Sequence, residues 1–296
     1  MIITDLRDRL FDSGIRTAVT VGKFDGLHLG HRELIRAAAG KKQEGLSPLV
    51  LLIDMNAGAG RKSILDSEEE SGILSELGAE ILIRVPFTPD FSEISAESFV
   101  TDILVSRLHA GALISGEDFC FGKERRGNPA FLRSISRELG FEYECLPRVF
   151  YKNAPVSSTR IRELLERGEI RDANACLGMS YSIAGSVIHG MHLASGLGFP
   201  TANILPPQEK LLPRFGVYRV FAKIGEKPFR GLANLGVKPT VPGERKALLE
   251  VYFPDYSGDL YGQTLTVSFD EFLRPEQKFP DLSSLRRQIA EDLRAL

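Results

Sequence analysis

Ten residues near the start of the chain, Gly22-Lys23-Phe24-Asp25-Gly26-Leu27-His28-Leu29-Gly30-His31, gather the residue types that handle phosphate. A β-branched apolar run over 17–21 leads in, and a helix-forming run over 32–39 leads out. A strand that feeds a helix through a glycine-rich turn aims unpaired backbone N–H groups and the positive end of the helix dipole at one point. An anion fits that point. His28 and His31 stand at i and i+3 across the expected helix start. Both imidazoles can therefore face one phosphoryl group and donate to it as negative charge builds up. The stretch is not the phosphate loop G-x-x-x-x-G-K-[ST], because no Lys-Ser/Thr pair follows its last glycine. The plainer alternative is a turn with two partly exposed histidines, and the strand before and helix after outweigh it.

Four further stretches carry candidate chemistry. Gly116-Glu117-Asp118-Phe119-Cys120-Phe121-Gly122-Lys123-Glu124-Arg125-Arg126-Gly127 follows an expected strand end with three cations, and reads equally as a solvated loop. Val156-Ser157-Ser158-Thr159-Arg160-Ile161-Arg162 precedes an evident helix. A Ser or Thr there caps that helix, while Arg160 and Arg162 at its start can grip nucleotide phosphates bidentately. After Pro200, Thr201 and Asn203 offer a hydroxyl and an amide oxygen to one hard cation such as Mg²⁺, although local chemistry alone favours a polar turn. Glu250 sits in the apolar run 247–253, on the face opposite Leu249, Val251 and Phe253. It is either a solvent-facing side chain or a pocket carboxylate that accepts the proton of an attacking alcohol.

These residues need elements to position them. Between residues 17 and about 150, strand-like and helix-like runs alternate: strands at 17–21, 49–53, 80–85, 112–116 and 143–149, and helices at 32–39, 67–77, 95–108 and 128–139. Such alternation predicts a parallel sheet covered on both faces, with ligands bound beyond the carboxyl ends of its strands. Helices at 159–167 and 169–177 follow, and near residue 180 strands take over, at 181–189, 216–224, 229–235, 248–253 and 265–272. Short strands with turns between them predict a small antiparallel barrel. The tail over 281–296 places Leu282, Leu285, Ile289 and Leu293 on one face, as an amphipathic helix packed on that barrel. The expected division is thus an α/β, Rossmann-like domain over 1–180 and a barrel domain over 181–296.

Bulk composition narrows the partners. A chain of 296 residues has room for about two cores, and 43% hydrophobic with 26% charged residues is ordinary globular composition. A net charge of −2 argues against broad binding to nucleic acid or anionic membranes, which leaves small-molecule substrates. Cys120, Cys145 and Cys176 are odd in number and scattered, which favours reduced thiols over a disulfide framework or zinc site. The first residues show no signal-peptide core and no run reaches transmembrane length, so a cytoplasmic location is expected.

The pattern G-x-F-D-G-x-H-x-G-H resembles the signature of the HIGH-type nucleotidylyltransferases, in particular the amino-terminal half of bacterial bifunctional riboflavin kinase/FMN adenylyltransferases. F-x-F-G-x-x-R-x-G at Phe119 to Gly127 and S-S-T-x-I-R at Ser157 to Arg162 match the same family. The second half resembles riboflavin kinase through G-F-P-T-A-N at 198–203, G-V-Y at 216–218, G-x-A-N-x-G at 231–236 and Lys238-Pro239-Thr240. L-E-V at 249–251, G-D-L-Y-G at 258–262 and F-L-R-P-E-x-K-F at 272–279 continue it. The resemblance implies two ATP-dependent steps: phosphorylation of riboflavin to FMN, then attack of the FMN phosphate on the α-phosphorus of a second ATP, giving FAD and pyrophosphate. By resemblance, Gly22, Lys23, Phe24, Asp25, Gly30, Ser158, Thr159, Arg160 and Arg162 hold ATP around the catalytic His28 and His31. Asp118, Phe119 and Arg125 hold the flavin substrate, and Pro200, Thr201 and Asn203 serve Mg-ATP in the kinase, the last two as metal ligands. Glu250 is then the base on the riboflavin 5′-hydroxyl.

The chain departs from the family pattern in three places. Lys23 replaces the usual Asn, Met55-Asn56-Ala57 stands where Pro-His-Pro is usual, and Leu193-Ala194-Ser195 stands where a basic Arg-Gly-Arg run is usual. These departures keep two alternatives beside the bifunctional enzyme: a riboflavin kinase with an impaired adenylylation half, and a non-catalytic flavin- or nucleotide-binding regulator. Loss of that histidine makes adenylylation the expected slow half-reaction, with Lys23 offsetting part of the deficit as a mobile point charge.

Overall fold

A computed structural model describes residues 1–6, 14–55, 60–188, 201–241 and 244–296, which fall into two compact units, Met1–Ser158 and Thr159–Leu296. In chain order the first unit contains β1 (Ile2–Thr4), β2 (Thr17–Gly22), α1 (Leu29–Gly40), β3 (Ser47–Asp54), α2 (Ser67–Glu76) and β4 (Ile81–Pro86). It continues with α3 (Pro89–Ser92), α4 (Ala96–Ser98), a π-helix over Phe99–Arg107, β5 (Ala110–Gly116), α5 (Pro129–Ile135), β6 (Glu142–Leu146), β7 (Phe150–Tyr151) and β8 (Ala154–Pro155).

Six of these strands form one parallel sheet in the order β1-β4-β3-β2-β5-β6. From β2 the chain winds outward through β3 to β4, then crosses back to β5 on the other side of β2. The strand order therefore reverses between β2 and β5, and that is where an open parallel sheet leaves a crevice for ligands. One face is filled by Val19, Val21, Leu49, Leu51, Ile81, Ile83 and Leu113 against Phe99, Val100 and Leu104. On the other face, Ala18, Ala112 and Ile114 pack with Ala38 and Leu46. Both faces are covered, as continuous apolar strands require.

Local chemistry explains most boundaries. Asp66 and Glu69 form a reciprocal capping box that starts α2. Asn128 caps α5, whose last residue is Ile135 rather than the expected 139. The helix expected over 95–108 opens on the Ser95 cap as one α-turn and then widens into the π-helix, with Leu108 N–H bonded to Ile103 O at 2.9 Å. The strand expected over 143–149 ends at Leu146, and a two-strand ribbon of β7 and β8 follows it. β1 was not expected, since three residues carry no periodicity.

The second unit opens with α6 (Ser158–Arg167) and α7 (Ile170–Leu177), then β9 (Ser182–Ile188), β10 (Thr201–Ile204), β11 (Gly216–Ile224), β12 (Lys227–Val241), β13 (Glu244–Tyr252), β14 (Thr264–Arg274) and α8 (Leu282–Asp292). The strands close a barrel in the order β10-β13-β12-β11-β14-β9, with every neighbouring pair antiparallel. Within this unit α7 is fastened to the barrel. Asn174 donates to Phe269 O at 2.8 Å and accepts from Tyr181 N–H at 2.7 Å, and Arg171 pairs with Glu271 at 2.9 Å. Thr201 to Asn203 lies in β10 and not in a polar turn.

α8 forms as expected, but its contact is more polar than its pattern implies. Leu282 is 60% exposed, while Asp292 is buried and takes a forked pair from Arg274 of β14 at 2.7–3.0 Å. Arg219 and Arg230 bond the carbonyls of Ala295 and Leu296 at 2.9 Å each. Removing one partner of a buried pair strands the other charge, at a cost of about 3 kcal/mol or more. Arg274→Ala is expected to lower the stability of the second unit by about that amount in urea unfolding, whereas Arg287→Ala on the exposed face of α8 should change it by less than about 0.5 kcal/mol.

Candidate active sites

The turn after β2 is held in a tight, left-handed path. Phe24, Gly26 and Leu27 have φ of +48°, +86° and +43°, and both large side chains are fully buried. Positive φ on Phe and Leu is sparsely populated backbone, which persists only when the surroundings dictate it. Here Arg32 Nε donates to Leu27 O at 2.9 Å, Leu27 N–H bonds Phe24 O at 3.1 Å, and the Asp25 carboxylate accepts from Ile64 N–H at 3.1 Å. Ser158 Oγ, at the end of the first unit, donates to Asp25 O at 2.7 Å. Gly22 and Gly30 are close-packed, for a Cβ would lie 3.2 Å from the Phe24 ring and 3.3 Å from the His28 ring. Lys23 is exposed.

His28 is the N-cap of α1. Its Nδ1 accepts from His31 N–H at 3.4 Å, so in the neutral ring the proton sits on Nε2. The two imidazoles stack, with centroids 3.6 Å apart and planes 17° from parallel, and Phe24 meets His31 edge-on at 5.1 Å. Burial pushes the pKa of His28 down to about 4, against the opposing pull of Asp25 and Asp118. Burial, and then the neighbouring His28, holds His31 well below the usual histidine range. Both rings are therefore neutral at pH 7. His31 Nδ1 is buried with no hydrogen-bond partner among the described residues.

Across the switch point, the loop after β5 is closed by a bridge between Phe121 and Gly127, where a Cβ on Gly127 would lie 2.5 Å from the Phe121 ring. Phe119 stacks on Phe121 at 5.1 Å and is half-buried against the core. Asp118 is exposed, 3.6 Å from Arg148, and Arg125 is exposed at φ +59°. Thr159 is exposed, Arg160 half-buried and Arg162 buried on α6, within the second unit.

Sequence reading passed over two polar residues that shape the first unit. Arg32 is the support of the turn just described, and a helix pattern alone gives no sign of that. Arg84 lies inside a doubly covered strand, level with Leu52 and Gly22, in ion-pair contact with Glu70 of α2. Burial raises Glu70 to about 7, opposed by Arg84, with Asp25 and Asp54 pushing it further up. A cation inside an apolar parallel strand was the available signal.

The barrel carries the second constellation. Glu250 of β13 stands directly across from Asn203 of β10 on one side and Asn234 of β12 on the other. The flanking rows, Ala202–Val251–Ala233 and Ile204–Leu249–Leu235, are buried and apolar. Asn234 Nδ2 donates to Glu250 Oε2 at 3.4 Å. Asn203 is 4% exposed, and its Nδ2 bonds Thr201 O at 3.3 Å. Its Oδ1 is buried without a hydrogen-bond partner among the described residues. That oxygen, on the same strand face as Thr201, is the hard donor a Mg²⁺ ion would need. Beside Thr201 a cavity of about 160 Å³ is lined in part by Ala202, Val251, Phe253, Tyr256 and Leu260. Pro200, Asn56, Ala57 and residues 193–195 lie outside the described residues.

A parallel α/β unit with a phosphate-type turn at its switch point, followed by a closed barrel bearing a carboxylate among amides, defines a nucleotide-dependent transferase with two centres. Family models agree, matching FAD synthetase over residues 12–160 and riboflavin kinase over residues 177–296. The bifunctional riboflavin kinase/FMN adenylyltransferase of Escherichia coli K12 is 35% identical over 285 residues, covering 93% of this chain and 90% of that protein. The Haemophilus influenzae enzyme of the same description is 36% identical over 288 residues, with 93% and 92% covered. A crystal structure described as a macrolide-efflux protein from Streptococcus pneumoniae superposes with a TM-score of 0.86 at 27% identity, over 99% of this chain and 98% of that one. Among the described residues, no helix is long and apolar enough to cross a membrane. The chain belongs to the bifunctional riboflavin kinase/FMN adenylyltransferase family.

The low histidine pKa values carry a stability consequence. Unfolded His28 binds a proton near pH 6.5 and the folded ring only near pH 4, so between these values the unfolded chain holds more protons and stability falls as pH falls. The loss due to His28 is expected to reach about 3 kcal/mol between pH 7 and pH 4. His28→Asn keeps a capping side chain without the titration. Urea unfolding of the first unit at both pH values should show an acid loss smaller by about that amount in the variant.

Proposed function

We propose that the chain makes FAD in two steps, with riboflavin phosphorylation in residues 181–296 and adenylylation of FMN in residues 1–180. The observation that carries this reading is that His31 Nδ1 and Asn203 Oδ1, one within each matched motif, are buried without a hydrogen-bond partner among the described residues. α6 and α7 fall in the stretch assigned to adenylylation, although by contact they group with the barrel.

In the first unit, the neutral His28 presents Nε2–H beside the N-terminus of α1, so its dipole and the free backbone N–H groups meet the ATP phosphates together. Neutral rings suit this role because they bind developing negative charge without needing a buried counter-ion. His31 completes the stacked pair. Gly22, Lys23, Phe24, Asp25 and Gly30 shape the turn, and Ser158 holds it closed. Thr159, Arg160 and Arg162 join the ATP grip, and Asp118, Phe119 and Arg125 the flavin contact, on the resemblance of their motifs. The FMN phosphate attacks the α-phosphorus and pyrophosphate leaves.

In the barrel, Glu250 accepts the proton of the riboflavin 5′-hydroxyl as that oxygen attacks the γ-phosphorus of ATP, and ADP leaves. Thr201 and Asn203 would hold Mg²⁺, which would supply positive charge beside the ATP phosphates. The substrates are small molecules, the net charge of −2 speaks against a nucleic-acid partner, and we place the protein in the cytoplasm.

Incubation with riboflavin, ATP and Mg²⁺ followed by separation of the flavins tests the whole reading. FAD supports it, FMN alone leaves only the kinase, and unchanged riboflavin removes both activities. The two centres should also come apart by mutation. The double change His28→Ala/His31→Ala is expected to cut FAD formation from FMN by at least about a hundredfold while riboflavin phosphorylation persists. Glu250→Gln should do the reverse, slowing FMN formation by about 10²–10⁴-fold and sparing adenylylation of supplied FMN.

A further inference from the structure

Accepting Glu250 as the base, its geometry raises a second question: what holds the carboxylate in place. A glutamate on a strand has three side-chain torsions to fix, and a base that wanders loses rate steeply with small displacements. Its two cross-strand neighbours are both asparagines, but they are not equivalent. Asn203 directs its Nδ2 to Thr201 O at 3.3 Å, and its buried oxygen has no proton to give a carboxylate. Asn234 turns the other way, with its Nδ2 toward Glu250 Oε2 at 3.4 Å. That separation is long for a hydrogen bond, as catalytic contacts often are before substrate arrives.

We propose that Asn234 is a positioning residue of the kinase step, donating to one carboxylate oxygen of Glu250 and so orienting the group for the substrate hydroxyl. The strand ladder makes this donor dependable. Asn234 and Glu250 are register partners on β12 and β13, and Ala233–Val251 and Leu235–Leu249 hold that register from both sides. The two asparagines divide the labour: the β10 amide offers oxygen to a cation, and the β12 amide offers hydrogen to the base.

The test uses the full-length protein and Asn234→Leu, which keeps the shape and removes the donor. The kcat for riboflavin phosphorylation should fall by about tenfold or more, with KM for riboflavin and for ATP within about twofold. Asn234→Asp, which sets a second carboxylate against the first, should fall further. The unchanged KM values for riboflavin and ATP in the kinase assay report that the barrel remains folded. In a Glu250→Gln background, Asn234→Leu should cost less than about twofold more, because the group it positions has already lost its basic oxygen. An unchanged kcat, a loss confined to KM, or a full additional tenfold loss in the Glu250→Gln background would overturn the proposal. If Glu250→Gln itself phosphorylates riboflavin at the wild-type rate, the base is another group and the positioning role falls with it.

Discussion

Backbone strain in the turn between β2 and α1 is tolerable only because distant parts of the chain satisfy that turn's polar groups. Arg32 takes the Leu27 carbonyl, Ser158 takes the Asp25 carbonyl, and the Asp25 side chain takes the Ile64 N–H. With those acceptors occupied, the buried Phe24 and Leu27 side chains can hold a left-handed path that neither residue prefers. The path in turn puts His28 at the cap of α1 and stacks His31 on it. The imidazole pair thus inherits its position from hydrogen bonds within the protein.

The two centres solve opposite electrostatic problems. The first buries titratable rings until they are neutral, so that hydrogen-bond dipoles and a helix N-terminus face an anion without a salt bridge having to be desolvated. The second keeps a carboxylate on a half-exposed barrel position and surrounds it with neutral amides. A single unit could hardly satisfy both demands side by side, since a carboxylate near the rings would pull their pKa values back up. Asp25 and Asp118 already exert that pull on His28, and burial outweighs it.

Motif spacing and strand–helix alternation made the parallel unit, the barrel and the turn between a strand and a helix that carries His28 and His31 legible in the sequence. The misses have physical reasons. The Phe99–Arg107 stretch buries Phe99, Val100, Leu104 and then Leu108, a spacing that suits an α-helix and a wider π-helix alike. β1 is a three-residue edge strand recognised only by its pairing with β4. Thr201 to Asn203 looks like a turn because its residues are polar, and only closure of the barrel makes it a strand. Asn234 was visible as part of a motif, but its value lies in facing Glu250 across a register that no local pattern fixes.

The barrel's closing seam bears on how the chain is made. β9 opens the barrel sequence and pairs with β14, its final strand, through Ser182–Ser268 to Ser186–Thr264. On a ribosome the last barrel strand emerges late, so the β9 edge that meets β14 must wait, with β9 held only through β10, while the intervening hairpins form. The parallel sheet lies wholly upstream of β9, with its β1–β4 and β2–β5 pairings complete before that wait begins. Vectorial synthesis therefore favours an order in which the nucleotide-type unit condenses first and the barrel snaps shut last, with the β9 edge as the segment most in need of protection meanwhile.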